Sequence, residues 1–173
     1  MIKDWKKPYK AVVKIFKRYW EVYGGYRSLF LSPYFHLSIM LFFLTWPFWD
    51  AAVAGTWFDL VIEITPSMLG FTLGGYAILL AFGNEAFQKA LSGDSEDGPS
   101  PFIIVNAAFA NFLILQIVAL IFAVLSKAWG VVSGPIAWIG SLVFLYSLVS
   151  ALAAVMAVFQ LSDWFNKFNE EDG

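Results

Sequence analysis

The sequence predicts an all-α polytopic membrane protein, with four transmembrane helices and an N-terminal amphipathic helix at the membrane interface. Of its 173 residues, 60% are hydrophobic and 14% are charged, whereas a soluble domain is ~45–50% apolar and ~25% charged. Four stretches, residues 28–49, 64–84, 98–126 and 128–162, contain no Asp, Glu, Lys or Arg. Each is at least as long as the roughly 20 apolar residues that a membrane-spanning helix needs.

A proline stands near the start of each apolar run and sets the predicted helix boundaries. These prolines are Pro33, Pro66, Pro101 and Pro135. Proline suits the first helical position because its missing N–H would have no partner there, and a Ser or Thr just before it can cap the first turn. The predicted crossings within a membrane domain of residues 28–162 are therefore 33–53, 66–91, 101–126 and 135–162.

The basic residues predict the orientation of the chain in the membrane. Eight of the eleven Lys and Arg residues lie within residues 1–27. If this segment is cytoplasmic, four crossings return the acidic tail, residues 163–173, to the cytoplasm as well. Lys127 is then the only basic residue outside, a clear positive-inside pattern. We therefore expect an integral protein of the plasma membrane, the inner membrane of a bacterium, with both termini cytoplasmic.

The N-terminal segment 1–27 has the pattern of an amphipathic helix. Its aromatic residues, such as Tyr9, Phe16 and Trp20, recur at helical spacing. The remaining surface is basic and carries Lys6, Lys10, Lys14, Lys17 and Arg18. Such a helix can lie on the cytoplasmic leaflet, with its basic side chains against anionic lipid. The alternative is that it packs against the protein itself or a partner.

The second predicted helix carries a stripe of small and weakly polar residues at alternating spacings of three and four. The members of this stripe are Ser67, Gly70, Gly74, Ala77, Ala81, Asn84 and Gln88. The spacing keeps them on one helix face, and the GxxxG pair Gly70–Gly74 allows two backbones to approach closely in lipid. This face either packs against another helix or lines a pore in an oligomer. Glu63 and Asp59 would then stand at the outer mouth, where a ring of carboxylates favours cations.

Several function classes lack the residues they need. The chain has no cysteine and one histidine, His36, so we expect no metal site and no cofactor. No charged residue lies in the middle of a predicted crossing, which argues against proton-coupled transport. There is no HExxH motif, no Ser/His pair at membrane depth and no intramembrane aspartate pair, so we expect no enzyme. Nor do we expect nucleic acid as a partner.

Two functional hypotheses remain. The first is a homo-oligomer that forms an ion-permeable pore around the second helix. The alternative is a non-conducting scaffold, sensor or anchor that recruits a cytoplasmic partner through the basic helix, the acidic loop 92–100 and the acidic tail. By size and topology alone, the chain is similar to small four-helix membrane proteins of bacterial defence and signalling systems.

Overall fold

The computed structural model describes residues 6–50, 56–81 and 100–171, and the regular structure in these ranges is entirely helical. The helices are α1 (Lys6–Tyr23), α2 (Gly25–Leu31), α3 (Pro33–Leu44), α4 (Trp46–Asp50), α5 (Trp57–Ala81), α6 (Pro101–Trp129) and α7 (Pro135–Glu171). The predicted all-α class is therefore confirmed.

Two of these helices are long and apolar enough to span a membrane. They are α6 over Phe102–Trp129 and α7 over Pro135–Gln160. The pair α2 and α3 is a third candidate if its two parts form one crossing, because they pass the same test together despite a bend of 51°. The bend falls at Ser32, whose backbone is extended, since the ring of a following proline disfavours the helical conformation.

One predicted helix start is wrong. Helix α5 begins at Trp57 rather than at residue 66, and Pro66 lies inside it. A proline within a helix removes one backbone hydrogen bond and strains the preceding turn. The first turns of α5 form nonetheless because Trp57, Phe58 and Val61 are buried in the core. Tertiary packing thus outweighs the local signal of Pro66, and Thr65 is not a helix cap.

The other helix ends also differ from the predicted boundaries. The first predicted crossing is interrupted. Helix α3 ends at Leu44, where the Thr45 hydroxyl donates to the carbonyl of Leu41 at 2.6 Å. Helix α6 runs to Trp129, and α7 continues through the predicted tail as far as Glu171. Residues 51–53 and 82–91 of the predicted helices lie outside the described residues.

Helix α7 lies at the centre of the bundle. It packs against α3 and α4 on one side and against α6 on the other, and α5 packs mainly against α6. The order across the bundle is therefore α3, α7, α6, α5, so that α5 has only one extensively packed side. Helix α1 contacts α6 near the start of α6, and we name this the α1 end. The opposite or far end contains α4, the start of α5 and the start of α7.

Small and polar residues are buried in the bundle beside large apolar ones, and other large apolar residues are exposed on its surface. The fully buried side chains include Ser38, Gln116, Ser141 and Ser147. The exposed ones include Phe43, Phe71, Leu125 and Phe159. Close packing through small residues and an apolar exterior are typical of helices in lipid. The buried serines Ser38 and Ser141 donate to carbonyls of their own helices at 2.7 Å, so they satisfy their hydroxyls without a partner helix.

Helix α5 is fixed at the far end by the indole of Trp57. This side chain is 1% exposed, and its Nε1 donates to the carbonyl of Val131 at 3.3 Å. The ring lies against Gly140 of α7: a Cβ at residue 140 would come within 2.9 Å of Trp57 Cζ3 and 3.3 Å of Phe122 Cβ. The missing side chain of Gly140 therefore makes the room that the indole occupies.

Candidate functional site

The described members of the small-residue stripe of α5 face away from the helices against which α5 packs. The residues of α5 that pack on the bundle include Val61, Thr65 and Thr72, all buried. At about 100° per residue, Gly70 and Gly74 lie on the opposite side of the helix. No atom lies within 4 Å of the position that a Cβ would take at either glycine. Among the described residues, therefore, no helix of the same protomer covers this face.

The outward face is defined here by Glu63, Ser67, Gly70, Gly74 and Ala77, which are all exposed. Large apolar side chains flank it on both sides, since Phe71 is 85% exposed and Leu73 is 53% exposed. Of the other predicted members of the stripe, Ala81 is the last residue of α5. Asn84 and Gln88 lie outside the described residues.

A buried polar contact shows where the outward face of α5 lies along the length of α6. Gln116 is fully buried near the middle of the α6 span, and its Nε2 donates to Thr72 Oγ1 at 3.5 Å. Gly70 and Gly74 stand on either side of Thr72 in the sequence and are therefore level with the middle of the α6 span. Glu63 precedes Thr72 by about 14 Å of helix, which is about half of a ~30 Å hydrocarbon core. If α5 crosses a membrane beside α6, this carboxylate lies near the membrane boundary at the far end.

The two carboxylates predicted at the outer mouth have different environments. Lys127 Nζ donates to Asp59 Oδ1 at 2.8 Å, and the hydroxyl of Thr56 donates to the other oxygen of Asp59. Glu63 makes no ion pair with any described residue. Asp59 is therefore neutralised within the protomer, whereas Glu63 is an exposed carboxylate on the outward face.

We expect the ion pair between Asp59 and Lys127 to contribute nothing measurable to stability. Both side chains are about half exposed, and water screens such pairs while their side chains lose conformational entropy. Asp59→Asn, Lys127→Gln and the double variant should unfold at the same denaturant concentration as the parent protein, within error. A coupling energy well above error in that double-mutant cycle would show instead that the pair anchors α5 to α6.

Helix α1 has an uncovered apolar face beside a basic face. The side chains of Lys10, Lys14, Lys17 and Arg18 are exposed, and Lys6 is the first residue of the helix. On the other face, Tyr9, Val13 and Phe16 are more than half exposed as well. This surface retains the amphipathic character that the sequence predicts for contact with a lipid leaflet.

The last turns of α1 are anchored on the bundle. The hydroxyl of Tyr19 donates to Asn111 Oδ1 at 2.8 Å, and those of Tyr23 and Tyr146 are 2.9 Å apart. Beyond this contact, Gly24 and Gly25 have positive φ of 93° and 66°, which turn the chain into α2. The last turns of α1 thus pack on the protein, as the alternative interpretation predicts, whereas contact of the more exposed part of α1 with lipid stays a prediction.

We expect Tyr19→Phe to lower the free energy of unfolding by about 1–3 kcal/mol, because the buried Asn111 carbonyl loses its donor. Tyr26→Phe is the matched control, since Tyr26 is 71% exposed. Burial raises the pKa of Tyr19 from 10.0 to about 12. The neutral hydroxyl is therefore favoured in the folded state, and its contribution is complete below pH 10 and decreases between pH 10 and 12. Unfolding titrations at pH 7, 10 and 12 measure both the loss of stability and its pH dependence. Equal losses in Tyr19→Phe and Tyr26→Phe would contradict the expected contribution of the hydrogen bond to Asn111.

The sequence does not determine which residues form this tyrosine cluster. Tyr19 and Tyr23 are four residues apart on the apolar face of α1, which could have indicated a common contact. The sequence does not, however, identify Asn111 and Tyr146 as their partners. Tyr76 and Asn106 form a similar contact, in which the tyrosine hydroxyl of α5 donates to the amide oxygen of α6 at 2.7 Å.

Comparison of the chain with protein-family models, with curated proteins and with solved structures gives no match. The function of this protein is therefore inferred from its own surfaces and side chains.

Proposed function

We propose that this chain is a four-crossing protein of the bacterial inner membrane and that its copies assemble around α5 into an ion-permeable pore. The crossings would be α2–α3, α5, α6 and α7, with both termini in the cytoplasm. The length and composition of α6 and α7 support this topology. So does Lys127, which would be the only basic residue on the outer side and which is paired with Asp59.

The observation that carries the proposal is the outward face of α5. It combines a GxxxG pair close to mid-depth with an exposed carboxylate near the membrane boundary, and no described helix covers it. In lipid, a face of this kind is favourable when it meets another helix, because small residues allow close backbone contact and many dispersion contacts. A second copy of the same chain offers the same face.

A ring of copies would give each part of this face a separate role. Ser67, Gly70 and Gly74 would line a narrow path, while the flanking Phe71 and Leu73 would pack against neighbouring protomers. Repeated around the axis, Glu63 would form a ring of carboxylates at the outer mouth. Such a ring concentrates cations and repels anions, so we expect conduction to be cation-selective.

The first experiment is the mass of the purified protein in nanodiscs, measured without denaturation. A defined ring of about four or more copies would provide the axis that the pore requires. A monomer or dimer would overturn the proposal, because one or two copies cannot surround an axis with α5 helices.

The second experiment is ion flux into liposomes that contain the assembled protein. We expect Glu63→Gln to reduce the preference for K⁺ over Cl⁻ several-fold, because the variant removes the carboxylate from every protomer. Asp50→Asn is the charge-matched control: Asp50 also lies at the far end, but it accepts a hydrogen bond from Trp138 Nε1 at 2.9 Å, away from α5. Equal effects of the two substitutions would exclude a specific role of Glu63.

A second candidate function is a non-conducting scaffold, sensor or anchor for a cytoplasmic partner. The exposed basic side of α1, which no described helix covers, favours it. This function predicts a stoichiometric partner in pull-downs from native membranes, and reversal of charge at Lys10, Lys14 and Lys17 should abolish its capture. If the protein forms a ring that conducts no ions and such a partner is captured, the result supports the scaffold function and excludes the pore.

A further inference from the structure

A cavity of about 440 Å³ lies at the α1 end, between α1–α2 and the helices α3, α6 and α7. Its polar lining includes Tyr23, Arg27, Asn111, Tyr146 and Ser150. The cavity is separate from the outward face of α5, which does not contribute to its lining. It is also the place where the end of α1 is anchored on the bundle.

The lining of the cavity is suited to an anion. Among the described residues, Arg27 is the only charged one that lines it, and no described carboxylate pairs with this guanidinium. Around Arg27 stand hydroxyl groups from Ser28, Ser32 and Tyr34. A planar guanidinium with several N–H donors recognises phosphate by paired hydrogen bonds, and neighbouring hydroxyls can donate to the remaining phosphate oxygens.

The apolar part of the lining points to a lipid rather than to a soluble anion. Leu31, Ala108 and Ala153 also line the cavity, and Leu31 is 64% exposed beside the exposed Phe30. The cavity is therefore continuous with an apolar outer surface, along which an acyl chain can lie. A soluble phosphate ion would gain nothing from these side chains.

The cavity lies within reach of the lipid headgroups. Ala108 and Asn111 lie about 10 and 15 Å along α6 from its start. The 28-residue span of α6 is about 42 Å long and thus exceeds a ~30 Å hydrocarbon core by roughly 6 Å at each end. The cavity therefore begins just inside the hydrocarbon boundary, and the long side chain of Arg27 can extend toward the headgroups.

We propose that this cavity binds the phosphate headgroup of an anionic phospholipid, with Arg27 as the phosphate ligand and one acyl chain beside Leu31. The lipid would occupy the gap between α2 and the bundle, so that it links the amphipathic N-terminal segment to the spanning helices. The proposal does not depend on the pore, because a single protomer contains the whole site.

The test uses delipidated full-length protein in a neutral detergent. Native mass spectrometry and thermal unfolding are recorded with phosphatidylglycerol, with phosphatidylcholine and with inorganic phosphate. We expect one retained phosphatidylglycerol per protomer and a raised unfolding temperature, with no comparable effect of the other two. Arg27→Gln should weaken phosphatidylglycerol binding by about tenfold, because a charge-assisted contact is lost. Lys127→Gln, which removes a cation at the far end of the bundle, should bind as the parent protein does.

A second variant tests the apolar part of the cavity lining. Ala153→Leu fills part of the cavity without removing Arg27 and should also weaken the binding of phosphatidylglycerol. Equal loss of binding in Lys127→Gln and Arg27→Gln would mean that the effect depends on total charge alone, and it would overturn the site. If inorganic phosphate raised the unfolding temperature as much as phosphatidylglycerol does, the cavity would be a site for a soluble anion, and the proposal of a lipid ligand would be wrong. Unchanged binding in both cavity variants would overturn the proposal altogether.

Discussion

Gly74→Leu should leave the protomer folded and dissociate the assembly that we propose. No atom lies within 4 Å of a Cβ at residue 74, so the new side chain begins in open space among the described residues. Across a helix–helix contact, however, it separates backbones that glycine allows to touch. We expect the apparent dissociation constant of the oligomer to rise by more than about tenfold. Mass measurement in nanodiscs over a range of protein-to-lipid ratios checks this, and liposome flux should fall in parallel.

The neighbouring glycine supplies a matched control. A Cβ at Gly75 would also have no atom within 4 Å, but this residue is turned by about 100° from Gly74 and so leaves the outward face. Gly75→Leu should therefore assemble and conduct as the parent protein does. If both variants assemble normally, the outward face is in contact with lipid alone. If both dissociate, the effect is not specific to that face.

Gly140→Ala should have the largest effect on stability, a loss of about 3 kcal/mol in the free energy of unfolding. The added methyl would overlap the edge of the Trp57 ring and crowd Phe122 Cβ. The indole is 1% exposed and donates to the carbonyl of Val131, so it cannot move away without losing that contact. Reversible unfolding in mixed micelles measures the loss. Gly74→Ala is the control, and it should be neutral or slightly stabilising because alanine favours a helix more than glycine does.

A double-mutant cycle tests the cause of this loss. Trp57→Phe removes the ring atoms that the new methyl would meet and is itself destabilising, because it empties part of a buried site. If the overlap is the cause, the double variant should be clearly more stable than the sum of the two single losses predicts. Additive losses would mean that Gly140 is required for a reason other than space for Trp57.

Much of the secondary structure follows from the sequence because it depends on local chemistry. Uncharged runs predict apolar helices, and Pro33, Pro101 and Pro135 do begin helices. Pro66 does not, since a proline indicates only that the local backbone is compatible with a helix start. The burial of Trp57 and Phe58 in the core decided that α5 begins nine residues earlier. The sequence alone does not show that this burial outweighs the strain at Pro66.

By itself, then, the sequence determined the helical class, the apolar runs and the common face of Gly70, Gly74 and Ala77, because helical periodicity is a property of one segment. Only the tertiary structure decided that this face points away from the protomer, that Asp59 pairs with Lys127 and that Tyr19 meets Asn111, 92 residues later. The reason is physical. In a lipid-like bundle, apolar residues occur on buried and exposed sides alike, so hydrophobicity does not indicate which helix face has a neighbour. That choice follows from the order α3, α7, α6, α5, in which α5 is left at an edge with its small residues uncovered.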